Sequence, residues 1–154
     1  MKLTRPATLD DVQFVTNQMR VEDIEEVKAL GLSPLDALTL GYETSLVTYT
    51  LLTPDTNEPG ALLGVAPSTN PMLGAIWLLG TDSIVKHRFT FLRNSRPTLA
   101  ALFEETQKEA FYNITFCENT VHHLWLRWLG FTFLRKVNAP PLGQPFYEFM
   151  KLKG

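Results

Sequence analysis

The hydrophobic period of this chain changes partway along its length, and that change limits the possible folds more than any other feature. Up to about residue 44 the spacing is helical. Thr8, with Asp11 three residues on, makes a capping-box-like start for a helix to about Met19 that carries Val12, Val15 and Met19 on one face. An acidic helix follows from Val21 to Leu30 and is stopped by Gly31; Ser33-Pro34 then caps and opens a third, with Leu35, Leu38 and Tyr42. From Val47 the period drops to two, because Val47, Tyr49 and Leu51 alternate with Thr48 and Thr50 as in a half-buried strand. The turn-forming run Thr53 to Gly60 separates it from a strand near Ala61 to Val65, so the two are expected to pair antiparallel. A third strand runs from Gly74 to Leu79.

The second half alternates the two periods. A helix is expected to open after Ser95-Arg96-Pro97, with Leu99, Leu102, Phe103, Thr106 and Ala110 on one face. Tyr112 to Cys117 reads as a strand. Asn119 then caps a helix whose Val121, Leu124, Trp125, Trp128 and Leu129 form an apolar stripe, most simply a core face, and Gly130 ends it. Strands Phe131 to Val137 and Phe146 to Leu152 close the chain, and Met1 to Arg5 reads as a strand that opens it. The expected fold is α+β (α/β): a mixed, mostly antiparallel sheet of about six or seven strands flanked by helices. With 154 residues, 45% of them hydrophobic and 10 Phe among them, one domain over residues 1–154 builds its core without disulfide or metal.

Charge narrows the function. A net charge of −2 supplies no basic field for nucleic acid, and no apolar stretch approaches the ~20 residues that span a bilayer, so neither partner is expected. The single cysteine, Cys117, has no partner in the chain and reads as a small core residue, and no charged-then-apolar leader opens the sequence; a reducing cytoplasm is the expected location. His122 and His123 are adjacent and therefore diverge on a helix, with no ligand at metal spacing beside them, so no metal is expected. The net charge is −6 over residues 1–60 and +4 over residues 61–154, and Ser83 to Phe103 holds Lys86, Arg88, Arg93 and Arg96 without a carboxylate. Such a stretch suits an anion such as a phosphate, or a solvated face.

The order of elements, together with Asn119 at a helix start and Gly130-Phe131 eleven residues later at its end, resembles the GNAT superfamily of acyl-CoA-dependent N-acetyltransferases. Length and the texture around Trp77-Leu78-Leu79-Gly80-Thr81 look like a smaller, phage-borne branch often filed as internal virion proteins. The resemblance implies acetyl-CoA as cofactor and an amine acceptor, with two neighbouring strands diverging to admit the pantetheine arm. It assigns cofactor contacts to Leu78 and Leu79 on the diverging strand, to Arg93, Ser95 and Arg96 at the phosphate loop, and to Asn119. The chemistry requires a held pyrophosphate, a polarised carbonyl and a group that moves the proton.

Two departures qualify that implication. The family's phosphate loop carries closely spaced glycines, whereas Arg93-Asn94-Ser95-Arg96-Pro97-Thr98 has none, and Pro97 lacks an N–H; Arg93 and Arg96 then replace amide donation with charge. Where family members carry a proton-donating Tyr, this chain has Leu126. His122, one turn earlier, is the replacement catalytic group; alternatively His122 and His123 cover a polar helix flank, since nothing in the sequence supplies an orienting partner. Two functions follow: an acyl-CoA N-acetyltransferase, or a degenerate module that acts by contacts with a virion or host protein, with the acidic helices of residues 10–43 as its docking face.

Overall fold

The computed structural model describes residues 3–154; Met1 and Lys2, part of the expected first strand, lie outside the described residues. The elements run β1 (Thr4–Pro6), α1 (Leu9–Gln18), α2 (Val21–Ala29), α3 (Pro34–Thr44), β2 (Val47–Leu52), β3 (Pro59–Pro67), β4 (Leu73–Gly80), α4 (Ser83–Lys86), α5 (Arg88–Thr106), β5 (Ala110–Phe116), α6 (Thr120–Trp128), β6 (Thr132–Ala139) and β7 (Gln144–Leu152). One seven-stranded sheet has the order β1-β2-β3-β4-β5-β7-β6 and is antiparallel throughout except between β4 and β5. This is the expected mixed, mostly antiparallel sheet flanked by helices.

Local chemistry sets the helix starts. The Thr8 side chain accepts from the Asp11 amide while the Asp11 carboxylate accepts from the Thr8 amide at 2.9 Å, a reciprocal box that opens α1. Ser33 caps α3 ahead of Pro34, and Gly31 leaves α2 at φ +79°, a left-handed turn that favours glycine.

Period-two alternation then divides the sheet between two cores. Leu62, Trp77 and Leu79 pack against Val12 and Val15 of α1 and Leu38 of α3. Leu63, Val65 and Leu78 point to the other face, where they meet Leu99, Leu102 and Phe103 of α5 and Leu126 and Leu129 of α6. Each fully buried leucine here contributes about 2 kcal/mol. The Trp77 indole lies so close over β3 that a Cβ at Gly64 would come within 2.6 Å of it.

Two expectations are corrected. The helix expected to open after Ser95 instead opens at Arg88, with Pro97 inside it. An interior proline costs about 3 kcal/mol, yet burial of Leu99, Leu102 and Phe103 along the same helix outweighs that cost. Next to Pro97, the Asn94 side-chain amide donates to the Thr90 carbonyl at 2.9 Å and the Thr98 hydroxyl to the Asn94 carbonyl at 2.8 Å.

The second correction concerns α6. Its buried face is His122, His123, Leu126 and Leu129, while Val121, Leu124 and Trp128 are exposed at 37%, 66% and 41%. The two imidazoles tolerate burial because each finds a partner on β5. His123 Nε2–H donates to the Phe116 carbonyl at 2.8 Å, and His122 Nδ1 lies 3.1 Å from Thr115 Oγ1.

Candidate active site

β4 and β5 are joined by only three register pairs, Leu73–Ala110, Gly74–Phe111 and Ala75–Tyr112, and then part. Asn113 stands at the fork: its side chain donates to the Ile76 carbonyl at 2.8 Å and accepts from the Ile114 amide at 2.8 Å, replacing one rung of the ladder. At the wide end the Gly80 amide donates to Asp23 Oδ2 at 2.8 Å and the Gly80 carbonyl accepts from the Arg20 amide at 2.9 Å. Across the gap, the Phe116 amide donates to Glu26 Oε1 at 2.6 Å. The Ile76 carbonyl and both Gly80 backbone groups therefore face the gap, and alternation turns Leu78 N–H and C=O the same way. Among the described residues no side chain bonds to the Leu78 N–H or C=O, unlike those of Ile76 and Gly80.

Two recesses reach this gap from opposite faces of the sheet. A cavity of about 330 Å³ opens between α4–α5 and α6, walled by Ile84, Phe91, Leu92 and Trp125 with Arg88 also lining it. A second, of about 250 Å³, lies under α2 and α3 and passes through the sheet toward Phe149. Leu78 and His122 line both. The exposed residues of the α6 stripe, Val121, Leu124 and Trp128, thus form the wall of the first cavity rather than core.

Helix α2 supplies the polar groups. Arg20, 2% exposed, donates from Nη1 to Asp23 Oδ1 at 2.8 Å and to Asn119 Oδ1 at 3.1 Å, and Asn119 Nδ2 donates to Asp23 Oδ1 at 3.0 Å. Among the described residues Arg20 Nε and Nη2 have no hydrogen-bond partner, although Nη2 lies 3.5 Å from Glu22 Oε2. Burial pushes the Asp23 carboxyl up, opposed by Arg20 and reinforced by Glu26, and the net shift is upward. Burial also pushes Glu26 up, but His122, the Phe116 amide and the Thr115 hydroxyl together hold it below its ordinary value.

Hydrogen-bond accounting fixes the His122 tautomer. The Thr115 hydroxyl donates its one proton to Glu26 Oε1 at 3.1 Å, so it accepts from His122 Nδ1–H. Neutral His122 therefore carries a lone pair on Nε2, which has no partner among the described residues. His122 Nδ1 also lies 3.9 Å from Glu26 Oε1. The orienting partner that the sequence did not reveal is the Glu26–Thr115 pair.

The other expected site residues separate. Leu78 turns its backbone to the gap, whereas Leu79, one residue on, turns its backbone by alternation toward Leu62 of β3. Asn119 is fully buried but makes no side-chain cap bond; it joins Arg20 and Asp23 instead, which corrects its reading as an N-cap. Arg93, Ser95 and Arg96 lie within α5, not in a loop. Arg93 is exposed, Ser95 is buried with its hydroxyl on the Leu92 carbonyl at 2.8 Å, and Arg96 donates to the Trp128 carbonyl at 3.0 Å with its guanidinium 3.8 Å from the Trp128 ring centre. Arg88 takes their place beside the cavity, and it belongs to the same carboxylate-free stretch.

No family model matches the sequence, and no curated protein matches it. Solved structures do. A GNAT-family acetyltransferase from Bacillus anthracis superposes with a TM-score of 0.71 at 10% identity, covering 99% of this chain and 96% of the other. The aminoglycoside acetyltransferase AAC(6')-Ib in complex with coenzyme A gives 0.71 at 15% identity, covering 97% and 94%. A chimera of the spermidine N-acetyltransferase SpeG from Vibrio cholerae and hSSAT gives 0.70 at 11% identity, covering 97% and 94%. The chain therefore has the fold of the GNAT acetyltransferases. At these identities the likeness is one of fold, and the chemistry rests on the site itself.

Proposed function

We propose that this protein binds an acyl-CoA in the gap between β4 and β5 and transfers the acetyl group to an amine. The observation that carries the reading is the unpaired backbone of Leu78 at the meeting point of two recesses from opposite faces. A two-substrate transfer needs two entries that converge on one point. The residues fit an acyl-CoA on the α5–α6 side: Leu78 offers a donor and an acceptor to the pantetheine amides, Arg20 has two orphaned donors beside the same cavity, and Arg88 supplies positive charge for the pyrophosphate. The amides of residues 83–87 are all used within the turn, as when the Lys86 amide donates to Asp82 at 3.0 Å, so none of these five is left to cradle an anion and Arg88 supplies charge in their stead.

Acyl-CoA brings an activated acyl carbon and a thiolate leaving group. His122 Nε2 takes the proton released as the amine nitrogen bonds to that carbon, and returns it to sulfur as the C–S bond breaks. Glu26 and Thr115 keep the imidazole in the tautomer that can do this. Titration of acetyl-CoA by thermal shift tests the binding step, since a 100-fold excess over Kd should add about 2.7 kcal/mol. Release of free thiol on adding an amine tests transfer. His122→Gln should abolish release and keep the shift, and the absence of any shift at millimolar CoA contradicts the reading.

A second reading is favoured by one observation: the Gly80 and Phe116 amides, which flank Leu78 on the two edges of the gap, already bond to Asp23 and Glu26. On that reading the chain is a non-catalytic module that docks on another protein through the exposed acids of α1–α3, and the phage-borne, virion-associated branch belongs with it. Asp11, Asp23 and Glu26 are buried and take no part in such a face. Co-purification with particles or a host protein, together with silence toward CoA, is its signature.

A further inference from the structure

The recess under α2 and α3 has a chemistry of its own. Its walls are mostly apolar, with Val27 of α2, Leu30 just after it, Leu40 of α3, Trp77 of β4 and Ile114 of β5; Thr44, Asn113 and His122 add polar groups. Among the described residues Glu26 is the only acidic one that lines it. That carboxylate is 7% exposed, and its bonds are unevenly shared. Oε1 takes the Phe116 amide and the Thr115 hydroxyl, at 2.6 and 3.1 Å, whereas Oε2 has no partner among the described residues. Asp23, the nearest other buried acid on α2, is tied to Arg20, Asn119 and Gly80 and lines the opposite cavity.

A carboxylate oxygen left without a partner in the lining of a mostly apolar recess calls for one cationic donor attached to an apolar body. A polyamine or an aminoglycoside carries several ammonium groups, and each beyond the first would enter this recess without a counter-charge. A zwitterionic amine would set its own carboxylate beside apolar wall, where His122, the one basic group in the lining among the described residues, is already faced by Glu26. We infer that the acceptor is a primary monoamine with an alkyl or aryl body, its ammonium bonded to Glu26 Oε2 and its apolar part lying between α2, α3 and Trp77. This deepens the transferase reading and rests on it for the identity of the ligand as an acceptor. Glu26 holds the amine within the same cluster as His122: the ammonium gives one proton to solvent before it attacks, and Nε2 stays free for the second, released as the C–N bond forms. The opposite cavity, with Arg88 in its lining, is left to the anionic donor.

The test measures amine binding to the full chain by calorimetry, apart from turnover. The probes are 2-phenylethylamine, its neutral isostere 2-phenylethanol, spermidine and phenylalanine, and a CoA thermal shift is recorded in parallel. Phenylethylamine should bind, and the neutral alcohol should bind about tenfold or more weakly, as expected for loss of a charge-assisted bond. Glu26→Gln should bring the amine down to the level of the alcohol. Because that variant removes a buried charge, Leu40→Lys at the exposed rim of the recess serves as a second probe and should weaken the amine but not the alcohol. The inference is overturned if phenylethylamine fails to bind at millimolar concentration, if alcohol and amine bind alike, or if spermidine or phenylalanine binds more tightly. A missing CoA shift with selective amine binding intact removes the transferase reading alone; a normal CoA shift without selective amine binding removes this inference alone.

Discussion

Replacing Asn119 by alanine separates two accounts of the residue that opens α6. If Asn119 acted as a helix N-cap, its removal would cost about 1 kcal/mol. In the structure its side chain instead accepts from the Arg20 guanidinium at 3.1 Å and donates to Asp23 at 3.0 Å, at a position with no solvent exposure. Hydrogen bonds to charged groups are worth about 1.5–3 kcal/mol each, and some of that is offset by side-chain freedom regained in the unfolded chain, so the expected loss is about 3 kcal/mol. For a chain of 154 residues this is a fall in Tm of about 9 °C. Urea unfolding followed by tryptophan fluorescence measures it, with the slope unchanged if the variant keeps the native fold. Asn119→Asp sharpens the comparison: aspartate is a good cap, so a capping role predicts no loss, whereas the network predicts a loss from placing a second carboxylate beside Asp23. A cost near 1 kcal/mol for alanine, or none for aspartate, would falsify the network account.

Three further outcomes follow from particular contacts. Gly64→Ala sets a Cβ within 2.6 Å of the Trp77 indole and should destabilise by about 1–3 kcal/mol, with recovery in the double variant carrying Trp77→Phe; equal stability of Gly64→Ala and the native chain in denaturant would show that the indole yields freely. Burial pushes the Asp11 carboxyl up, but bonds from Arg5, Thr50 and Thr8 bring it down from 3.8 to about 2. A carboxylate whose folded pKa is depressed contributes stability that is complete above its unfolded pKa, so this contribution should fade as pH falls from about 4 through 2, and Asp11→Asn should flatten that limb of the stability curve. Arg88→Ala should raise the Kd for CoA about tenfold while Arg93→Ala leaves it within about twofold, read by calorimetry; the opposite ranking would return anion binding to the middle of α5.

Much of the scaffold was legible because it is written in local periods. The Thr8–Asp11 box, the Ser33-Pro34 start, the alternation in β2 and the turn before β3 each depend on residues a few positions apart, and each stands where the sequence puts it. The start of α5 was misread because proline is favoured in a first helical turn, which made Ser95-Arg96-Pro97 look like an N-terminus; burial of a helix that begins earlier overrode that preference. The site was only half legible. Asn119 and His122 could be singled out, but their partners Arg20, Asp23 and Glu26 lie about ninety or more residues away in sequence, and no local pattern announces such contacts. A signal was present nonetheless. Asp23, Glu26 and Val27 fall at helical offsets 0, 3 and 4, so two acids of an apparently solvated run share the inward face of α2 with a core valine. His122 shares its face with Leu126 and Leu129 in the same way.

The central claim is that β4 and β5 part in order to receive a thioester-bearing arm against Leu78. A crystal structure of the full chain grown with CoA tests it most directly. The account predicts the pantetheine chain between the two strands, its amide bonded to the Leu78 backbone, its sulfur near His122 and its pyrophosphate beside Arg88. Strands that stay bridged by Asp23 and Glu26 with the gap empty at saturating CoA, or CoA held elsewhere on the molecule, would contradict it.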